Sequence, residues 1–218
     1  MIRPGEEKGT FAVPPAKKGV EGVKQERWFF ETRTWNLVPG LAARIPAGDN
    51  AGMPRTARAD AGGFCYHVMN LGNGQAEVFH KDGDYAAFAK LLREGCARLP
   101  MRLLSYCLMP NHFHLAVWPR KDGDLGVWMQ WLLTTHVRRY HRHYHSSGHV
   151  WQGRYKAFPI QEDQHLLTVL RYIKRNALRA GLVGRAEDWP WSSLRWWSAP
   201  GSLPFLDPGP VPRGDDWP

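Results

Sequence analysis

The chain has 218 residues, a hydrophobic fraction of 43% and a formal net charge of +9. This size and composition predict one domain with extensions and exclude a chain too polar to bury a core. The excess of lysine and arginine favours a polyanionic partner such as nucleic acid. Three cysteines without any C-x-x-C pair indicate neither a disulfide framework nor a thiolate zinc site.

The two ends of the sequence differ from its middle. Residues 1–52 are rich in Gly, Pro, Lys and Glu without helical or strand periodicity, so we expect a disordered or weakly ordered extension. The stretch that begins at Met53 looks like a natural protein start, which suggests an appendage or a misplaced start codon upstream. Residues 199–218 are studded with proline and predict an extended tail. We expect a cytoplasmic protein, because the amino terminus lacks a signal peptide and no apolar run reaches the ~20 residues that span a bilayer.

Between these ends, residues 53–198 predict an α/β (α+β) domain. Phe64–Asn70 alternates as a strand, Asp82 or Asp84 caps a helix that runs to about Arg98, and two strands follow around a Pro-Asn turn. The remaining predicted elements are a helix from Asp124, a basic loop over 138–149, an edge strand over 153–160, and one last helix from Glu162 or Asp163 to Gly181. This order matches a ferredoxin-like antiparallel sheet with helices packed on it.

The second strand of the hairpin contains two histidines, His112 and His114, two residues apart. Side chains at i and i+2 of a strand share one face, so the two imidazoles lie side by side. Such a pair suits a metal, although an isolated H-x-H is a weak motif and more often marks ordinary packed or surface histidines. The last helix adds Tyr172 and Asn176, one helical turn apart. Together the four residues indicate a nucleophile beside imidazole and amide ligands for Mg²⁺ or Mn²⁺.

Three stretches give this combination a family resemblance: YCLMPNHFHLAV, GHVWQGRYKAF, and LRYIKRNALRAGLV followed by WPWSSLRWW. The chain from about Met53 to Trp197 resembles the single-tyrosine HUH transposases of insertion sequences, most closely the REP-associated tyrosine transposase group. The resemblance implies the HUH endonuclease fold. It also implies that His112, His114 and Asn176 hold the metal and that Tyr172 is the nucleophile. The family usually has Asn-Pro where this chain has Asn176-Ala177, which leaves the helix less forcibly stopped.

The resemblance further implies single-stranded or hairpin DNA as substrate, cut and rejoined through a 5′-phosphotyrosyl bond. Basic side chains suited to phosphate contacts are Arg138, Arg139, Arg142, Arg154, Lys156, Lys174, Arg175 and Arg179. Nearby aromatic residues offer stacking surfaces for bases, although for any single residue a solvated basic face is at least as good an interpretation. A monomer and a homodimer are both compatible with the resemblance.

Two other classes of protein fit part of the pattern. A nucleic-acid-binding module on a ferredoxin-like fold would use the histidines and tyrosine only for stacking or phosphate binding. A zinc hydrolase fits less well, since no glutamate accompanies the histidines in an H-E-x-x-H arrangement. Dependence on a divalent metal and a covalent DNA adduct would separate the transposase from the binding module.

Overall fold

A four-stranded antiparallel sheet organises the molecule, which we describe from a computed structural model over residues 60–197 and 205–212. The predicted extension at 1–52 lies outside these residues. The elements in chain order are β1 (Cys65–Leu71), α1 (Asp82–Arg98), β2 (Met101–Met109), β3 (His112–Pro119), α2 (Asp124–Tyr144), β4 (Lys156–Ile160), α3 (Gln164–Lys174), α4 (Asn176–Arg179) and α5 (Leu194–Trp197). The strand order is β2-β3-β1-β4, the arrangement of a split β-α-β fold. The predicted ferredoxin-like fold is therefore confirmed.

The alternation of side chains along the central strands divides the sheet into two faces. One face carries Tyr66 and Val68 of β1 with Phe113 and Leu115 of β3, and helices α1 and α2 cover it as the larger core. The opposite face is smaller and is covered by α3 and α4. Because β1 and β3 are central, both of their faces are buried, so these strands read as apolar runs interrupted by the histidines.

Two helix boundaries differ from the sequence expectation. The predicted basic loop begins later, because α2 continues through Tyr144 and ends at His145, which adopts a left-handed conformation with φ 48°. The hydroxyl of Tyr144 donates a 2.6 Å hydrogen bond to the Asp84 carboxylate in the first turn of α1. Tyr140 contacts His80 just before α1, so tertiary contacts hold the last turns of α2 in helical form.

The predicted last helix is in fact two helices that meet at Arg175. Arg175 has φ −95° and ψ 9°, outside the helical well, and separates α3 from α4. The backbone N–H of Ala177, near the start of α4, donates instead to the Cys107 thiol of β2. A sulfur acceptor therefore satisfies one of the amide groups that the break leaves without a helical partner.

The segment after α4 closes over the sheet. Trp189 donates its indole N–H to the Leu108 carbonyl at 2.9 Å, and Trp196 donates to the Tyr106 hydroxyl at 2.7 Å. These two hydrogen bonds hold tryptophans of the late segment against β2. The described part of the predicted tail, 205–212, packs against β2 through a buried Leu206 and a backbone hydrogen bond from Asp207 to Leu103.

The contact between α1 and α2 depends on the absence of a side chain at Gly95. A methyl group there would lie 2.8 Å from Nε1 of Trp128 and 3.0 Å from the ring of Trp131, closer than van der Waals contact allows. Gly95→Ala is therefore expected to lower the free energy of unfolding by about 1–3 kcal/mol, although alanine favours helices. Urea unfolding followed by circular dichroism measures this change.

Gly83→Ala is the matched control on the same helix, because nothing lies within 4 Å of a methyl group at that position. It should leave the free energy of unfolding unchanged or raise it by up to about 1 kcal/mol. Equal destabilisation by both substitutions would contradict the close approach of α1 and α2 at Gly95.

Candidate active site

Three histidines lie together on the smaller face of the sheet. His112 and His114 come from β3, and His67 comes from β1, where alternate residues point to the same face. All three side chains are buried. The rings of His67 and His114 lie nearly parallel, at 26°, with centroids 5.0 Å apart, and the His112 and His114 centroids are also 5.0 Å apart. The predicted histidine pair thus forms part of a buried row of three.

In both candidate ligands, His112 and His114, the ring nitrogen with a hydrogen-bond partner is Nδ1. Nδ1 of His112 lies 2.7 Å from the Asn111 amide oxygen, to which it donates. Nδ1 of His114 lies 2.9 Å from Nε2 of His67. Because each Nδ1 is engaged in a hydrogen bond, a metal ion would bind these two rings through Nε2.

Burial keeps this row uncharged. Removal from water disfavours the protonated imidazole and lowers the pKa of His67 and of His112 to about 4. The pKa of His114 is also well below its ordinary value, first through burial and then through the two neighbouring imidazoles. Neutral imidazole is the form that binds metals, so the site is in the right protonation state near neutral pH.

Helix α3 places the predicted nucleophile over the histidine row. The ring of Tyr172 meets His114 edge-on with centroids 5.7 Å apart, and it meets His67 in the same way at 6.1 Å. The Arg179 guanidinium, from α4, lies 5.4 Å from the centre of the tyrosine ring. Tyr172 is partly exposed, whereas the histidines below it are buried. A phosphate that approached the tyrosine hydroxyl would therefore meet a cation as well.

Asn176 lies at the start of α4, buried to 2% exposure. Among residues 60–197 and 205–212, its side-chain oxygen has no hydrogen-bond partner. Its neighbour Ala177 contacts Cys107, and Cys107 pairs with His114 across β2 and β3. An unsatisfied buried amide oxygen is costly, and a cation is one group that would satisfy it.

The available donors fit a hard or borderline divalent cation. Two imidazole nitrogens and an amide oxygen suit Mg²⁺ or Mn²⁺ with water in the remaining positions. In the described part of the chain, no group of three or more His, Cys, Asp or Glu side chains is placed to hold a metal ion. The buried amide oxygen of Asn176 is a further oxygen donor of the kind that suits such a cation.

Comparison with known proteins agrees with this geometry. The model of the transposase IS200-like family matches residues 62–176, more than half of the chain. The chain belongs to this family. The matched segment runs from just before β1 to Asn176 and contains every residue described above for the histidine row and the nucleophile.

Individual relatives point to one branch of the family. A candidate REP-associated tyrosine transposase of Haemophilus influenzae is 28% identical over 118 residues, covering 49% of this chain and 66% of the relative, just under two thirds of its length. The REP-associated tyrosine transposase of Escherichia coli K12 is 23% identical over 146 residues, covering 66% and 84%. The resemblance drawn from the sequence is confirmed.

A solved structure shares the fold. A REP-associated tyrosine transposase bound to a REP hairpin superposes with a TM-score of 0.56 at 19% identity, covering 75% of this chain and 96% of that one. At this identity the likeness supports the fold and not the individual roles of residues. Among the described residues, no helix of this family member is long and apolar enough to cross a membrane.

The basic residues predicted to contact DNA fall into separate groups. Arg154 and Lys156 are exposed. They lie near Leu71, the residue of β1 that pairs with His112, because the N–H of Gln152 donates to the Leu71 carbonyl. Arg138, Arg139 and Arg142 lie on the last turns of α2, which packs against the other face of the sheet. Arg179 is beside Tyr172, whereas Lys174 is buried at 2% exposure and so is not displayed on the surface.

A basic cleft between α3, α4 and the segment after them was missed from the sequence. Arg175, which the sequence did suggest, shares this cleft of about 340 Å³ with Lys174, Arg171 and Arg185. Helical spacing already places Arg171 beside Arg175, whereas Arg185 joins them only through the turn of the chain after α4. His67 was also missed, because the strand pairing that sets it beside His114 has no signature in the local sequence.

Acid should weaken the fold through the histidine row. With the folded pKa of His112 near 4 and an unfolded value near ~6.5, the unfolded chain binds more protons between these limits. The free energy of unfolding should therefore fall as pH drops from about 6.5 to about 4, by up to about 1.4 kcal/mol per pH unit for each such group. Urea unfolding in EDTA at several pH values measures the slope.

His112→Gln should reduce that slope by up to about 1.4 kcal/mol per pH unit. His149→Gln, at an exposed histidine, serves as the control and should leave the slope as in the unmodified chain. Identical slopes for the two variants would contradict a buried, neutral His112.

Proposed function

We propose that the chain is a DNA strand transferase that cuts and rejoins single-stranded, hairpin-containing DNA, with Tyr172 as nucleophile and Mg²⁺ or Mn²⁺ as cofactor. The observation that carries this proposal is the position of the Tyr172 ring, 5.7 Å from that of His114 on the face where the histidine row lies. Membership of the transposase IS200-like family supports DNA cleavage and joining as the reaction class.

His112, His114 and Asn176 are the residues that would hold the cation, through two ring Nε2 atoms and the amide oxygen. The hydrogen bonds on both Nδ1 atoms and the unsatisfied amide oxygen support this assignment. When bound there, the cation would neutralise charge on a phosphate oxygen and favour the phenolate form of a nearby tyrosine.

Tyr172 would attack the phosphorus of the scissile phosphate through its hydroxyl oxygen. The new phosphotyrosyl bond forms as the bond from phosphorus to the 3′ oxygen breaks, and that oxygen takes up a proton to become a free 3′-hydroxyl. The phosphotyrosyl ester keeps the energy of the phosphodiester, so a 3′-hydroxyl can attack it and rejoin DNA without ATP. Arg179, over the tyrosine ring, is placed to pair with the reacting phosphate.

The exposed cations near the site supply the DNA surface in this proposal. Arg154 and Lys156 flank the His112 end of the sheet, and the cleft with Arg171 and Arg175 lies along the same helix as Tyr172. A relative of the same fold is bound to a REP hairpin, which supports a hairpin as the probe to use here. Phosphate contacts of this kind do not read sequence, so the target sequence would depend on other contacts.

Denaturing electrophoresis tests the mechanism directly. The full chain incubated with end-labelled hairpin DNA and Mn²⁺ should give an SDS-resistant band, because the phosphotyrosyl bond is covalent. Tyr172→Phe should abolish the band, since the hydroxyl is lost while the ring still packs against His114. His112→Ala should reduce it by at least about 100-fold through loss of a ligand.

Tyr155→Phe is the control for loss of a tyrosine hydroxyl in general. Tyr155 is buried outside the histidine row, so this variant should keep the band. If a broad pool of hairpins gave no band in any variant, while DNA binding persisted with and without Mn²⁺, a nucleic-acid-binding module would be the better description.

The salt dependence of binding tests the DNA surface. Fluorescence anisotropy with a single-stranded probe between about 50 and 200 mM salt gives a slope of log affinity that reports the number of phosphates contacted. The double variant Arg154→Ala and Lys156→Ala should lower the slope by about 1.4, because each lost contact accounts for about 0.7. Arg93→Ala with Arg98→Ala, on the exposed side of α1, removes the same charge and should change the slope far less.

A further inference from the structure

His67 joins the two parts of the candidate site. It sits in the middle of β1 at 3% exposure, and its ring lies beside those of both His114 and Tyr172. Its Nε2 is 2.9 Å from Nδ1 of His114, and its ring centre is 6.1 Å from that of Tyr172. The ring therefore contacts both a candidate metal ligand and the candidate nucleophile, which come from β3 and α3.

The hydrogen bond between His114 and His67 determines which nitrogen of the His114 ring can bind a metal ion. A metal ion on Nε2 of His114 would leave the ring proton on Nδ1, so that Nδ1–H donates and Nε2 of His67 accepts. The equivalent bond from His112 goes to Asn111, the preceding residue, and comes with the hairpin turn. The support for His114 comes instead from a residue 47 positions away, so it depends on the pairing of β1 with β3.

Apolar residues would fill this position at lower cost. The neighbours of His67 on the same face of β1 are Cys65 and Met69, and both are buried. Burying an imidazole requires hydrogen bonds to offset the loss of water, and the burial of His67 lowers its pKa to about 4. The contacts of His67 with His114 and Tyr172 therefore explain a histidine at this position better than packing does.

We propose that His67 is a positioning residue, which rests on the proposed function: it holds His114 by a hydrogen bond and Tyr172 by ring contact, so that metal ligand and nucleophile keep one fixed arrangement. Residues that orient the ligands of a metal typically change metal affinity 10–100-fold when they are replaced. His67 should therefore affect metal binding in the absence of DNA, without being a ligand itself.

Two substitutions separate the hydrogen bond from the packing. His67→Phe keeps a ring of similar size beside Tyr172 but removes the acceptor for His114. His67→Gln gives up the ring and keeps an amide oxygen that can accept. Phe158→Leu is the matched control, because Phe158 lies on β4 with its ring 6.4 Å from that of His67 and alters packing at the same place.

The measurement is calorimetric titration of the full, DNA-free chain with Mn²⁺, together with the thermal unfolding midpoint of each variant. His67→Phe should weaken Mn²⁺ binding about 10–100-fold, and His67→Gln should bind several-fold more tightly than His67→Phe. Phe158→Leu should stay within about twofold of the unmodified chain, even where its unfolding midpoint falls by as much as that of the His67 variants.

The outcomes distinguish this inference from the proposed function. No Mn²⁺ binding and no covalent adduct in the unmodified chain would overturn the proposed function. Normal binding and adduct in the unmodified chain, with Mn²⁺ affinity unchanged by His67→Phe, would overturn the role of His67 alone. If His67→Phe does not fold, His67→Leu takes its place, because it also removes the acceptor for His114: an Mn²⁺ affinity equal to that of Phe158→Leu would overturn the inference.

Discussion

The burial of imidazoles on one face of a sheet is the constraint on which the site depends. The period of two along β1 and β3 sends aromatic and aliphatic residues to one face and histidines to the other. Water cannot solvate the histidines once α3 covers them, so each must find its hydrogen bond within the protein. The bond from His112 to Asn111 and the bond between His114 and His67 help to meet that requirement, and both engage Nδ1 of a candidate ligand.

The two faces of the sheet also divide stability from chemistry. The face under α1 and α2 holds most of the large buried side chains, including Trp128, Phe88 and Phe113. The smaller face holds the polar residues of the site. Burying them is less favourable than burying apolar side chains, and each needs a well-placed hydrogen-bond partner. Because the larger core supplies the hydrophobic stabilisation, the fold can carry a row of neutral imidazoles on its other side.

Much of this architecture is predictable from the sequence, since the strands and helices follow clear periods. The buried stripe of α2, from Leu125 to His136, is the one that its spacing indicates. The pair His112 and His114 is visible because both residues lie in one strand. His67 is different: it is separated from them by a helix and a strand, and the register that pairs Met69 with His114 depends on the whole sheet. Local patterns carry no information about such contacts.

The break at Arg175 shows how tertiary contacts can replace a local signal. A proline directly after Asn176 would lack the N–H that continues a helix and would end the helix by itself. Here Ala177 has that N–H, and the sequence therefore predicts a helix that runs on to Gly181. The helix nevertheless breaks at Arg175, and close to the break the N–H of Ala177 donates to the Cys107 thiol of β2.

The bond between Ala177 and Cys107 lies close to the candidate site. Cys107 pairs directly with His114 across the sheet, so the bond from Ala177 ties the start of α4 to the histidine row. Asn176 precedes Ala177 and is buried, with its amide oxygen unsatisfied among the described residues. The break at Arg175 thus places a buried amide beside the residue whose N–H reaches the strand partner of His114.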